Sequence, residues 1–81
     1  MEKQEVYDRV VKVVCEVLGV EAAMVESSSN FVFDLGAEST QSIQLVAAFE
    51  EEFDIDLDEE GALAVQSVGD AAEFISQCVN G

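Results

Sequence analysis

Eighty-one residues make one small domain, and a chain of this length hides only about 60% of the surface its unfolded form exposes, so its core is small. Eighteen acids against three bases leave a formal charge of -15; all three bases (Lys3, Arg9, Lys12) fall in the first twelve residues, and fifteen acids with no base follow from Val13 onward. Such a surface repels nucleic-acid phosphates and anionic lipid heads, which disfavours both as partners, and it favours proteins that present Lys and Arg.

Taken alone, the acidity is also what a merely soluble protein carries. It does not mark disorder, because 49% of the residues are hydrophobic and fall at helical spacing. There is no apolar run of about 18 residues to cross a bilayer, no charged-then-apolar leader and no lipidation signature, so the expected address is cytoplasmic and the expected state a monomer. With no histidine, neither a Ser-His-Asp triad nor a Cys-His pair can be built, and an enzyme of those kinds is excluded.

From Glu2 to Leu18, Val6, Val10, Val13, Val14 and Val17 share one face, with Glu5, Asp8, Arg9, Lys12 and Glu16 opposite, which predicts an amphipathic helix closed by Gly19. From Val20 to Ala37 the periodicity fades, and the SSSN run at 27–30 signals a loop. Val20, Met24, Val25, Phe31, Phe33 and Leu35 can anchor it, with one of Phe31 and Phe33 left partly exposed. Gly36 suits a tight turn, after which Ser39 stands at or beside the first residue of a second helix reaching Phe53.

Helical phase turns Ile43, Leu45, Val46, Phe49 and Phe53 of that helix toward the core, leaving Thr40, Gln41, Gln44, Ala47, Ala48 and Glu51 outside. Ile55 and Leu57 alternate with Asp54, Asp56 and Asp58, but a lone strand has nothing to pair with, so this reads as an extended loop pinning two apolar residues. The same three acids imitate the start of a calcium loop. That reading fails on count, since Glu59 stands where the glycine belongs and Val65 where the bidentate glutamate belongs, so no metal site is expected. A short helix around Glu59 to Ala64, limited by Gly61, precedes a last helix from about Val68 to Val79, capped by Ser67. Asn80-Gly81 shows no helix-forming character. Phase puts Cys78 on the core face and leaves Cys15 as an exposed spare thiol; the pair has no C-x-x-C spacing and suits a reducing compartment. The elements together predict an all-α, four-helix bundle of three longer helices plus one short helix, with a long loop between the first two, as a single domain over 1–81.

The run LGAEST followed by QSIQLVAAFEEEFDIDL resembles the second-helix region of acyl carrier proteins, whose usual signature is a leucine-glycine-alanine turn, then aspartate-serine-leucine, then a helix ending in glutamates and phenylalanine. The likeness extends from about Val6 to about Val79, through SSSNFVFDLG and SVGDAAEFI. It implies that Ser39 carries 4'-phosphopantetheine, placed there from coenzyme A by a phosphopantetheinyl transferase that is Mg2+-dependent in the family. The arm's thiol would hold acyl groups as thioesters for acyl-transferring or condensing enzymes with basic patches, in fatty-acid, polyketide or related lipid biosynthesis. A phosphate on Ser39 would lie where unpaired amides and the positive end of a helix dipole tolerate it.

The same resemblance implies a recognition face made by Glu38, Thr40, Gln41, Gln44, Ala47, Ala48, Glu50 and Glu51, and a core able to shelter an acyl chain. Ile43, Val46, Leu57, Ala72 and Ile75 are the expected lining, although all five also suit plain core. The chain departs from the family pattern in one neighbourhood. Glu38 replaces the usual aspartate, Thr40 a leucine and Ala47 a larger apolar residue, while Gln41 and Gln44 stand where acids are common. These changes point to a specialised carrier. Two alternatives stay open: a peptidyl or aryl carrier, whose usual Gly-Gly-His/Asp-Ser turn Leu35-Gly36-Ala37-Glu38 does not match, and an acidic adaptor of the same fold that never carries an arm.

Overall fold

In the computed structural model, which describes residues 2–80 without the side chains of Glu59 and Leu63, the chain forms α1 (Lys3–Leu18), a 3-10 turn (Ala22–Met24), α2 (Ser39–Phe53), α3 (Glu59–Ala64) and α4 (Val68–Asn80). This is the all-α arrangement of three longer helices and one short one, with the long connection between α1 and α2. Valines are mediocre helix formers, so α1 exists because of what it buries. Val6, Val10, Val13 and Val14 pack with Leu45, Phe49 and Phe53 of α2 and with Val68, Ala71, Ala72 and Ile75 of α4. Each fully buried side chain of this kind contributes roughly 1.5–3 kcal/mol. Val17, expected on the same face, is half-buried where α1 ends.

Gly19 closes α1 in the left-handed region at φ 69°, its amide donating to the Cys15 carbonyl at 2.9 Å. The end of α2 uses a residue that no capping signal marks: Asp54, at φ 53°, is the non-glycine residue that takes the left-handed cap there. A short polar side chain tolerates that conformation better than most.

The connection before α2 is held more firmly than its SSSN composition suggests. Phe31 N–H donates to the Gln66 carbonyl at 3.0 Å, Val68 N–H to Ser29 at 3.0 Å and Gly69 N–H to Ser27 at 2.8 Å, so the loop pairs with the approach to α4 through an isolated bridge between Asn30 and Ser67. These carbonyls take up two of the amides that a helix start leaves unpaired, and the Ser67 hydroxyl takes a third, from Asp70, at 3.2 Å. Of the two loop aromatics in question, Phe31 is buried and Phe33 is exposed.

Three expectations are corrected. Ile43 is 52% exposed, because it lies two residues, or roughly 200° of helical turn, from the buried Leu45. The cysteines exchange roles: Cys78 is exposed at the edge of the α4 stripe, while Cys15 is half-buried, since α2, α4 and the 3-10 turn together cover more of α1 than its valines mark out. Asn80 is the last residue of α4, not part of a coil, and Gly81 lies outside the described residues.

Candidate functional site

Gly36, at φ 72°, turns the chain into α2 as its position predicts, with its amide donating to the Val32 carbonyl at 3.2 Å. Glu38 then occupies the N-cap in extended conformation, and Gln41 reaches back so that its Oε1 accepts the Glu38 N–H at 3.0 Å, closing a capping box. Ser39 is therefore the first residue inside the helix, not its cap. Its side chain is exposed and its hydroxyl has no hydrogen-bond partner among the described residues. The ordinary structural duty of a serine at this place is carried by its neighbours. What remains is a hydroxyl open to solvent at the positive end of a four-turn helix.

The expected recognition face divides. Glu38, Thr40, Gln44, Ala47 and Glu51 are exposed, whereas Gln41 is half-buried in the cap and Ala48 packs against the core. Glu50 turns inward as well: its Oε2 accepts the Leu57 N–H at 2.9 Å, and its carbonyl accepts the amide of Ile55 at 3.1 Å. Glu52 is paired with both Arg9 and Lys12 at 3.6 Å, so its charge is directed at α1. From Ser39 to Phe49 there is no charged residue at all. Behind the exposed Glu38 at the cap, the outer side of α2 is thus uncharged from Ser39 to Phe49, with Ile43 as an apolar knob, and becomes acidic again only at Glu51, about 18 Å farther along the axis than Ser39.

Beside this face the bundle forms a half-open apolar cavity of about 260 Å³. Val46, Leu57 and Ile75 line it, as the sequence suggested for a sheltering core, but Ile43 and Ala72 do not. Ile43 points to solvent, and Ala72 faces a separate groove against Lys3 and Tyr7. Sequence reasoning missed Ser42, which lines the cavity and donates from its Oγ to the Glu38 carbonyl at 3.3 Å. Its signal was available, since it stands one helical turn after Ser39 and four residues before Val46. Phe74, also missed, reaches the cavity from α4, where it packs over Gly61 of α3; a Cβ there would sit 3.3 Å from its ring. Among the described residues no group of three or more Cys, Asp or Glu side chains converges to hold a metal ion, and no helix is long and apolar enough to cross a membrane.

Compared with known protein families, residues 8–75 match the model described as the phosphopantetheine attachment site, which spans most of the chain and all of the elements that frame Ser39.

Proposed function

We propose, from the premise that this chain belongs to the phosphopantetheine attachment-site family of carrier domains, that Ser39 is the hydroxyl that bears the arm and that the cargo is an acyl thioester. Carrier domains of this family are modified by a phosphopantetheinyl transferase, meet biosynthetic enzymes and perform no catalysis themselves. The observation that supports Ser39 is its exposed, unpartnered hydroxyl beside a cap closed by Glu38 and Gln41. In the transfer, the serine oxygen bonds to the phosphorus of the arm as the phosphoanhydride of coenzyme A breaks. The nucleotide bisphosphate leaves, and the serine proton passes to a base on the transferase, because no histidine is present here to take it.

The cavity supports the acyl part of this reading, since Ser42 on its lining lies one turn from Ser39 and an apolar chain could fold back from the arm into it. The neutral front of α2 supports a specialised carrier. Enzymes fitted to acids along this helix would find Gln41 and Gln44 instead, and those fitted to larger apolar residues would find Thr40 and Ala47, so the grip for basic patches falls to Glu38 and, farther along, to Glu51 and the acids after it.

Intact mass tests the assignment. Incubation with coenzyme A, Mg2+ and a transferase is expected to add one phosphopantetheine to the wild type and none to Ser39→Ala. A folded wild type that gains nothing would speak for the adaptor reading. Once loaded, the protein is expected to work more slowly with the enzymes of a general fatty-acid synthase than a general carrier does, and equal rates would remove the specialisation.

A further inference from the structure

Four of the five phenylalanines, Phe31, Phe33, Phe49 and Phe74, line the same cavity. Phe31 and Phe49 are buried and Phe74 half-buried, but Phe33 stands at the rim with 87% of its surface in water. Its backbone is fixed. Asn30 Oδ1 accepts the amides of both Val32 and Phe33 at 2.9 Å, and Asp34 Oδ2 accepts the Asn30 amide at 2.7 Å. A ring on a rigid turn keeps its own rotamer freedom, and exposed side chains change rotamer within nanoseconds. Phe33 is therefore an apolar flap at the edge of an apolar space, left in water until something apolar lies beside it.

We propose that Phe33 is a specificity-determining residue that closes over an acyl group entering the cavity from the arm on Ser39, and that acyl groups bearing an aromatic ring are held best. This rests on the carrier reading of Ser39. Size favours such a cargo: benzene occupies an engineered protein cavity of about 150 Å³, so about 260 Å³ takes one ring and a few carbons. Chemistry favours it too, because offset and edge-to-face ring pairs gain more than area burial alone, and three rings line the space with the fourth, Phe33, at its rim. The polar residues of the lining, Asn30, Ser42 and Gln66, are uncharged, which suits a neutral ligand.

The test loads wild type, Phe33→Ala and Phe33→Tyr with phenylbutanoyl, decanoyl and acetyl groups from the corresponding acyl-coenzyme A, with intact mass read first. Hydroxylamine then breaks each thioester carbon–sulfur bond, forming the hydroxamate and freeing the arm's thiol, at a rate that reports how exposed the thioester is. In the wild type the phenylbutanoyl thioester is expected to react about two- to ten-fold more slowly than the decanoyl one, the scale of one aromatic pair. Phe33→Ala is expected to lose that difference and Phe33→Tyr to keep it, while acetyl, too short to reach the flap, reacts alike in all three. Equal phenylbutanoyl and decanoyl rates in the wild type, or a Phe33→Ala protein indistinguishable from wild type, overturn the proposal and leave the carrier reading standing. No mass gain in any of the three removes both. Phe33 is so exposed that neither substitution endangers the fold.

Discussion

Glu50 shows how one side chain can be read for the wrong task. It lies near the acidic end of α2, where the resemblance assigns it to partner enzymes, yet its carboxylate holds the Leu57 amide and so fixes the loop that brings Leu57 to the cavity. Removing a charge-assisted bond of this kind costs about 1.5–3 kcal/mol, and a neutral acceptor in its place recovers about 1 kcal/mol of that. Removing a negative charge from a chain at -15 works in the opposite direction, so two variants separate the effects. Glu50→Gln loses the charge and keeps an acceptor; Glu50→Ala loses both. Thermal unfolding is expected to place Glu50→Ala below Glu50→Gln by roughly 4–8 °C, the shift of about 1 kcal/mol in a domain this small. Coincident melting curves would return Glu50 to the surface role. The place of Ser39 was legible in the sequence because Gly36 and the start of a helix are local signals. The Glu50 bond was not, since it depends on where a residue seven positions later comes to rest.

At the scale of elements, helical periodicity found α1, α2 and α4 and the buried row of α1, but not the 3-10 turn at Ala22–Met24. It failed on the flanks of α2. The apolar face assigned to α2 put Ile43 inside with Leu45, although the two are on opposite sides of the turn. The pairing of the loop with the start of α4 was also invisible, because main-chain amides and carbonyls leave no trace in a side-chain pattern. One residue does record it. A Cβ on Gly69 would stand 2.9 Å from the Ser27 carbonyl oxygen, a contact real side chains essentially never make. Helix propensity alone would make Gly69→Ala stabilising by about 1 kcal/mol. The clash is with main chain and cannot swing away, so overpacking, worth about 1–3 kcal/mol, is expected to prevail. Urea unfolding is expected to show Gly69→Ala less stable than wild type. A gain in stability would mean that the loop yields and that its bonds to α4 are slack.

For the molecule as a whole, charge decides the outcome. Lys3 pairs with Glu73 at 3.3 Å, and Arg9 and Lys12 share Glu52, so every base is already matched while most acids are not. Exposed pairs of this kind contribute at most about 1 kcal/mol each. The bundle measures 30 × 24 × 18 Å. At about 0.01 M salt the screening length, roughly 30 Å, spans it completely; at 0.15 M it is about 8 Å, and only neighbouring acids still repel. The melting temperature is therefore expected to rise with salt between these limits, and further with Mg2+ at equal ionic strength. A melting temperature indifferent to both would show that the acids are spaced widely enough not to matter.

The ion pairs on α1 have a further consequence. The first twelve residues hold three bases and three acids, so that rim of the bundle is electrically null and the entire excess sits on the remainder of the chain. Such a body is lopsided in its field. A cationic surface would turn it in solution before contact, drawing the unpaired carboxylates to the front and leaving the charge-balanced start of the chain behind, so that encounters begin from a few orientations and not from a full sphere of them.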